Sequence, residues 1–432
     1  MGAATHSRIA RSVVVVGMFL VVGRALGAGR EILLAAKYGT GEVMDAYLFL
    51  WNLANWPISV WLSVLTVVAV PIFVRSVDHP DGAAAVFVRE LTALSGVIGL
   101  GLAMVMMAMA FSFAHLTPSV FGAGTARELV AMALPMSLML PAGLIVGALS
   151  ARCISLERHI NTLAEGVPAL VVIICIVSFF DHTSAALAWG TAIGYCTHAV
   201  ALAFALPPAD AIFETKLHRM QSSPLWPSFW SGFWMIAVGQ LILSATTILD
   251  QLLIAQLGTG AISELGYANR VLALILGIGT TAVARATLPV LSALRGEGGP
   301  VQTASKLAQA LFAIGALSIV PLWFASPWII EILFERGAFG PAQTAAVTTI
   351  LRIGLLQMPF YFASLVAVQV LAARQQYRGI LQISVLNVAV KVAGNFVFID
   401  IYGVAGVLVG TALMYASAMM TAWYLVSRSE SR

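Results

Sequence analysis

Three charged residues, Arg24, Arg30 and Glu31, lie close together in the first apolar segment of the chain. They belong to the stretch GRALGAGREILLAAKYGTG at residues 23–41, whose fourth charged residue, Lys37, follows that segment. Arg24 and Glu31 are seven residues apart and share one face of a helix, whereas Arg30 lies about 100° round from Glu31. A charge at the centre of a bilayer costs about 2.5–3.5 kcal/mol on insertion scales. Guanidinium groups in such a place suit phosphate oxygens, which they bind through paired hydrogen bonds. The stretch therefore predicts an anion-binding site inside the membrane.

Further polar residues interrupt the apolar segments of the second half of the chain. Three of them recur at intervals of four residues and form one polar stripe on a single helix. A stripe of this kind is too costly to face lipid, so we expect it to face a cavity or neighbouring helices. The candidate cavity-lining residues in this half are Arg352, Asn387, Lys391 and Asn395.

A purely structural role is the alternative for these charges. Arg24 could pair with Glu31, Asp250 could pair with Arg270, and Arg285 could extend to the cytoplasmic interface. Structural pairing would tend to balance the two signs, whereas the predicted membrane segments contain more cations than carboxylates. The excess of cations favours an anionic substrate.

Apolar segments of about 20 residues recur along the whole chain, and each is long enough to cross a bilayer. Of the 432 residues, 60% are hydrophobic and 10% are charged, whereas a soluble protein has about 25% charged residues. We therefore predict an all-α membrane protein. The twelve predicted transmembrane helices are residues 9–36, 45–74, 89–113, 127–150, 161–180, 185–206, 227–256, 264–291, 305–326, 343–372, 379–399 and 403–426.

The basic residues indicate how the helices are oriented. Lys and Arg concentrate at the N-terminus and in every second predicted loop, for example at Arg152 and Arg158. The positive-inside rule then predicts a multi-pass protein with both termini in the cytoplasm. The net charge of +4 is explained by this orientation signal, so we expect no nucleic-acid partner.

The sequence contains an internal repeat. The segment EILLAAKYGTG at 31–41 resembles DQLLIAQLGTG at 250–260, and Pro141 and Pro359 match about half a chain apart. The repeat predicts two parallel six-helix bundles around a central cavity. The predicted domains are an N-terminal bundle at 1–210, a cytoplasmic linker at 211–226 and a C-terminal bundle at 227–432.

Two carboxylates hold equivalent places in this repeat, because Glu31 aligns with Asp250. They are candidates for binding a coupling cation, sodium or proton, or for gating ion pairs. The sequence has no P-loop, no nucleotide fingerprint and no His cluster with metal-ligand spacing. We therefore expect a transporter without catalytic residues, metal or cofactor beyond such a cation.

Three stretches resemble the MviN/MurJ-type lipid II flippases of the multidrug/oligosaccharidyl-lipid/polysaccharide exporter superfamily. They are GRALGAGREILLAAKYGTGEVMDAYLFLWNLAN near the start, ISELGYANRVLALILGIGTTAVARATLPVLS at the eighth helix, and ILFERGAFGPAQT before the tenth. The resemblance covers nearly the whole chain. It implies a bacterial inner-membrane transporter that alternates between inward- and outward-facing states and carries an undecaprenyl-pyrophosphate-linked saccharide. On that pattern Arg24, Arg30 and Arg270 match central-cavity arginines, which we expect to bind the pyrophosphate. Asp45 matches an acidic residue at the start of helix 2 and is a further candidate for cation coupling or gating.

The chain also departs from the family pattern. The family usually has basic residues midway along helix 2, where this chain has Ile58 and Ser59, and an acidic residue in helix 8, where this chain has Asn269. The lipid II flippases commonly have fourteen helices, so the resemblance implies a shorter member, for which we expect twelve helices. These differences leave the identity of the headgroup open.

The leading functional interpretation is a flippase that moves a lipid-linked saccharide, either lipid II or an exopolysaccharide repeat unit, from the inner to the outer leaflet. One alternative is a cation-coupled exporter of small molecules or drugs. Another is a non-transporting membrane scaffold for polymer assembly. The expected partners are the lipid-linked saccharide and membrane lipids, and polymer-assembly enzymes are candidate partners.

Overall fold

The computed structural model describes residues 2–76, 82–116, 118–158, 160–178, 184–207, 210, 222–293, 301–374 and 376–430. Regular structure within these ranges is helical, apart from an isolated bridge between Arg336 and Phe339. The prediction of an all-α membrane protein is confirmed.

The number of membrane spans differs from the predicted twelve when it is judged by length and apolarity. Among the described residues, nine helical segments are long and apolar enough to cross a membrane, or ten if one bent pair counts as a span. The first helix is not among the nine, and the last two predicted helices count together as the single segment Arg378–Arg428. Every predicted span nevertheless overlaps a helix or two consecutive helices.

The chain divides into two compact units. Unit 1 comprises residues 1–38 and 42–248, and unit 2 comprises residues 39–41 and 249–432. The predicted linker at 211–226 lies largely outside the described residues, so the predicted domain boundaries stay a prediction.

Unit 1 contains the helices of the first half of the chain and most of the helix that follows. They are α1 (Gly2–Tyr38), α2 (Glu42–Val64), α3 (Val70–Arg75), α4 (Ala83–Leu116), α5 (Pro118–Phe121), α6 (Ala123–Ser155), α7 (Ile160–Ala164), α8 (Val167–Ser178), α9 (Ser184–Ala205) and α10 (Trp226–Ala255). A π-helical turn at Leu65–Ala69 joins α2 to α3. The centre of unit 1 is α6, which packs against α2, α4 and α9.

Unit 2 begins within α10 and contains the remaining helices. They are α11 (Ala261–Ala293), α12 (Val301–Phe334), α13 (Pro341–Leu355), α14 (Met358–Ala373), α15 (Tyr377–Tyr402) and α16 (Gly406–Glu430). The pair α13 and α14 bends by 41° at the break between them. A proline at the start of α14, Pro359, lacks the N–H that a continuous helix would use there.

The two units repeat one packing pattern. In unit 1, α6 packs on α4 and α9, and α8 packs on α9; in unit 2, α14 packs on α12 and α16, and α15 packs on α16. Close contacts repeat with the pattern: a side chain on Gly99 would collide with Pro141, and a Cβ on Gly315 would lie 2.9 Å from the Cα of Pro359. The proline match found in the sequence therefore corresponds to equivalent helix crossings, each of which requires glycine.

A buried carboxylate fixes the start of α10 against unit 1. Glu90 of α4 accepts hydrogen bonds from the backbone N–H groups of Ser222 and Ser223, at 2.8 and 3.1 Å. It also accepts one from the indole of Trp226, at 2.8 Å. Because these donors satisfy the buried charge, the carboxylate holds the first turn of α10 in one position.

Candidate functional site

A cavity of about 340 Å³ opens within unit 1. Residues from α1, α2, α6, α8, α9 and the α7–α8 turn line it. They are Gly23, Gly27, Arg30, Trp51, Asn55, Ile58, Ser59, Leu62, Gly143, Val146, Gly147, Glu165, Pro168, Ala169, Tyr195 and His198. Four of these residues are glycines on α1 and α6. A Cβ on Gly27 would meet no heavy atom within 4 Å, so that glycine leaves room for a ligand, whereas a Cβ on Gly143 would collide with the Ile58 side chain, so that glycine allows close helix packing.

Arg30 is the cation of this cavity. Its Nη2 lies 2.5 Å from Oε1 of Glu31, and the two side chains are 15% and 14% exposed. The guanidinium carbon lies 5.0 Å from the centre of the Trp51 ring. Among the described residues, its buried Nε has no hydrogen-bond partner. The guanidinium therefore keeps donor capacity beyond its ion pair, and a phosphate oxygen could take it up.

Aromatic side chains hold Trp51 in place beside Arg30. The Trp51 ring centre lies 6.0 Å from that of Tyr47 and 5.9 Å from that of Tyr195. The Tyr47 hydroxyl lies 3.3 Å from the Thr191 hydroxyl, so a hydrogen bond joins α2 and α9 one helical turn from Trp51. Indole and phenol rings present both apolar faces and polar tips to this cavity, a combination that suits a sugar ring.

Two polar stripes that were not predicted from the sequence face the cavity. Trp51, Asn55 and Ser59 follow one another at intervals of four on α2. On α9, Tyr195 and His198 lie three residues apart; His198 is buried, and its Nε2 has no hydrogen-bond partner among the described residues. The spacing of these residues in apolar helices was the available signal, because polar side chains on one helical face predict a shared polar environment.

Arg24 and Asp45, the other predicted site residues of unit 1, lie outside this cavity. Arg24 is exposed. Asp45 is 2% exposed and lies in the first turn of α2, where a helix dipole stabilises a carboxylate.

The predicted polar stripe of α15 lies against other helices. Lys391 forms an ion pair with Asp250 of α10 at 2.9 Å, and Asn395 donates a hydrogen bond to the same carboxylate at 2.6 Å. One turn away, the side chain of Asn387 accepts a hydrogen bond of 3.3 Å from Ser417 of α16. Of the two predicted environments, a cavity or neighbouring helices, the stripe therefore faces neighbouring helices.

The remaining predicted cations of unit 2 rest on aromatic rings. Arg270 lies 5.2 Å from the centre of the Tyr267 ring, one turn earlier on α11. Arg352 lies 5.5 Å from the Trp323 ring and donates a 3.1 Å hydrogen bond to the Trp323 carbonyl. The convergence of Arg24, Arg30 and Arg270 on one central cavity stays a prediction, because Arg270 belongs to the other unit. No group of three or more metal-ligating side chains is found among the described residues.

Comparison with known proteins identifies one family across the chain. The family model described as "Lipid II flippase MurJ" matches residues 34–431. A probable lipid II flippase MurJ of Rhizobium tropici is 24% identical over 426 residues, covering 94% of this chain and 78% of that protein. A protein of the same name from Helicobacter pylori strain J99 is 26% identical over 204 residues, but that alignment covers 46% of this chain and 44% of the relative.

Solved structures share the fold. A structure of a lipid II flippase MurJ in an inward closed conformation has a TM-score of 0.79 at 18% identity, covering 96% of this chain and 87% of that one. An inward-facing multidrug resistance transporter of the MATE family has a TM-score of 0.72 at 12% identity, covering 95% of both chains. The fold is thus common to flippases and drug exporters, so fold alone does not separate those two functions.

Proposed function

The chain belongs to the lipid II flippase MurJ family, and we propose on that premise that it moves a lipid-linked saccharide from the inner to the outer leaflet by alternating access. The observation that carries the proposal is the placement of Arg30 above Trp51 in a glycine-lined cavity. An intramembrane cation beside an aromatic ring matches a headgroup that joins phosphate to sugar.

Each part of the cavity has a role in this proposal. The guanidinium of Arg30 binds pyrophosphate oxygens, because an arginine fork makes two parallel charged hydrogen bonds where a lysine makes point contacts. Trp51 and Tyr195 contact the sugar rings, and Asn55 and Ser59 bind sugar hydroxyls. The lipid tail stays in the bilayer while the head crosses inside the protein. Without such a path the charged head would cross hydrocarbon at a large desolvation cost.

Export of cationic drugs is less well supported than flipping. Its support is the shared fold of the MATE transporter. A cationic drug would have to bind close to Arg30, whereas an anionic headgroup gains from it. A non-transporting scaffold has no use for a buried cation in a cavity, so the same residue argues against that role.

The headgroup belongs to the undecaprenyl-pyrophosphate saccharides, and either the peptidoglycan precursor or an exopolysaccharide repeat unit fits the cavity chemistry. Depletion of the protein in its host distinguishes them. Lysis with accumulated lipid II identifies the peptidoglycan precursor, whereas viable cells that lack a surface polysaccharide identify a glycan repeat unit. If neither precursor accumulates and drug sensitivity rises instead, the flippase proposal is wrong.

The proposed location is the bacterial inner membrane, with both termini in the cytoplasm and with polymer-assembly enzymes as candidate partners. Single cysteines tested with an impermeant thiol reagent in intact cells check the orientation. Reagent added outside should label positions near Thr40, Gly260 and Gly340, and it should leave those near Gly82 and Arg158 unlabelled. The opposite pattern would reverse the orientation.

A coupling cation, sodium or proton, remains part of the proposal for unit 1. Glu31 is the candidate there because its side chain adjoins the cavity through Arg30, and a coupling cation would compete with that guanidinium for the carboxylate. Flipping that is unchanged after collapse of both the membrane potential and the ion gradients would show that no such coupling exists.

A further inference from the structure

Asp250 lies in a buried polar cluster that joins three helices of unit 2. Its Oδ2 lies 2.9 Å from the Nζ of Lys391, and its Oδ1 accepts a 2.6 Å hydrogen bond from Asn395. The same Lys391 Nζ donates a 2.7 Å hydrogen bond to the Thr411 hydroxyl of α16. Asp250, Lys391 and Asn395 are 8%, 6% and 0% exposed.

The two neutral side chains of the cluster differ in the atoms that they direct at the ion pair. Thr411 uses its only hydroxyl hydrogen on the carbonyl of Val407, at 2.9 Å, so its oxygen faces the Lys391 ammonium as an acceptor. Asn395 uses its amide N–H on Asp250, and its buried Oδ1 has no hydrogen-bond partner among the described residues. The ammonium therefore lies between a carboxylate oxygen of Asp250 and the hydroxyl oxygen of Thr411, and oxygen atoms are the ligands that hard cations prefer.

Two glycines make room for this arrangement. A Cβ on Gly394 would lie 2.9 Å from the Cα of Gly410, so α15 and α16 cross in close contact there. A Cβ on Gly410 would lie 2.6 Å from the Oδ1 of Asn395. Small residues at such crossings let polar side chains bridge helices inside the membrane.

We propose that this cluster is a monovalent-cation site whose occupant is the chain's own Lys391 ammonium. The tethered ammonium supplies the positive charge that Asp250 needs, and it joins α10, α15 and α16 without a free ion. A coupling ion could reach Asp250 only by displacing Lys391, so any ion coupling of this protein takes place elsewhere. The inference concerns ion binding and stability, and it stands or falls separately from the proposed flipping activity.

The test is the thermal unfolding midpoint of the purified full chain in sodium, potassium, methylammonium or N-methylglucamine chloride at equal ionic strength. The wild-type midpoint should be the same in all four salts. Lys391→Ala should lower it by on the order of 10 °C in N-methylglucamine, because the variant leaves a buried carboxylate without its cation. Sodium or methylammonium should then restore about half of that loss in a saturable manner, by filling the vacated space.

Two controls locate the effect. Lys391→Met keeps most of the side-chain volume, so added cations should not rescue it. Asp250→Asn in the Lys391→Ala background removes the charge that attracts a cation. The double variant should therefore fold, and its unfolding midpoint should be the same in all four salts. These outcomes together assign the rescue to the vacated ammonium position.

Two results would overturn the proposal. One is a saturable sodium stabilisation of the wild type that Asp250→Asn abolishes, because it would show a free ion bound at this carboxylate. The other is a folded Lys391→Ala that none of the small cations stabilises. If Lys391→Ala cannot be purified, the wild type and the double variant decide together. A wild-type unfolding midpoint that is the same in all four salts, with a double variant that folds, supports the proposal. Any other combination of the two results contradicts it.

Discussion

The repeat places Glu31 and Asp250 at equivalent positions, yet the two carboxylates have opposite surroundings. Glu31 pairs with its chain neighbour Arg30, and that pair lies at a cavity beside Trp51. Asp250 pairs with Lys391 of a distant helix, inside a packed crossing that Asn395 completes. One pair thus leaves its cation accessible to a ligand, whereas the other uses its cation to join helices. Equivalent positions of the repeat can thus contribute to a ligand-binding cavity or to helix packing, and the location of the ion-pair partner decides which.

The largest effect should come from removing the cavity cation. Arg30→Ala should lower flipping by about tenfold to a hundredfold, since charged hydrogen bonds contribute about 1.5–3 kcal/mol. Arg30→Lys should also fail to restore full activity, because a point charge does not reproduce the arginine fork. Flipping is measured in proteoliposomes at matched protein density.

A double variant separates substrate binding from charge balance at this site. Arg30→Ala/Glu31→Gln removes both charges, so it also removes the cost of a carboxylate left without Arg30. If Arg30 binds the headgroup, the double variant stays as inactive as Arg30→Ala. Recovery of flipping in the double variant would instead assign Arg30 a structural role. The Arg30–Glu31 pair would then serve structure, as the Asp250–Lys391 pair does.

A slightly smaller effect should follow from filling the cavity. A Cβ on Gly27 would meet no heavy atom within 4 Å, and Gly27 lines the cavity, so we expect Gly27→Phe to fold while its ring occupies the space beside Arg30. We expect flipping to fall by roughly tenfold, because the ring excludes the headgroup from its contacts. The matched control is Gly101→Phe: a Cβ on Gly101 would also meet no heavy atom within 4 Å, but Gly101 does not line the cavity. Equal loss in both variants would contradict a functional role for the cavity.

Neutralising the buried ion pair of Asp250 and Lys391 should lower flipping much less than removing Arg30 does. Asp250→Asn/Lys391→Met keeps the volume and leaves an acceptor for Asn395, so the folded protein should flip within about threefold of wild type. Lys391→Met alone should be destabilised by about 3–5 kcal/mol, because it leaves a buried carboxylate unpaired. Thermal unfolding and flipping are measured on the same preparations. A double variant that folds but loses as much flipping as Arg30→Ala would show that the Asp250–Lys391 pair takes part in transport.

The smallest effect is expected at Arg352. Its side chain contacts the ring and the carbonyl of Trp323, and a lysine can make both contacts. Arg352→Lys should therefore change flipping by less than about twofold, with a loss of at most about 1 kcal/mol in stability. A loss as large as that of Arg30→Lys would place a second substrate-binding arginine in unit 2.

The sequence predicted the helices and the repeat well, because both depend on patterns along the chain. Apolar length marked the spans, and Pro141 and Pro359 marked equivalent crossings. The sequence could not show that Gly99 and Gly315 contact those prolines, because a glycine required by a neighbour has no distinctive pattern.

The partners of buried charges could not be predicted from the sequence either. Asp250 pairs at 2.9 Å with Lys391, which lies about 140 residues further along the chain. His198 and Asn55 were missed because cavity residues come from several helices, and each contributes one or two side chains.

The proposed flipping of a pyrophosphate-linked saccharide is tested most directly in proteoliposomes that contain an undecaprenyl-pyrophosphate saccharide with a fluorophore on the sugar. An impermeant reductant added outside quenches the fluorophores in the outer leaflet. With the wild-type protein nearly all of the fluorescence should be lost, because inner-leaflet lipid is moved outward during the assay. Arg30→Ala vesicles should lose only about the outer half. If wild-type vesicles also lose only about half of their fluorescence, while a fluorescent cationic drug crosses the same membranes, the proposed flipping is contradicted.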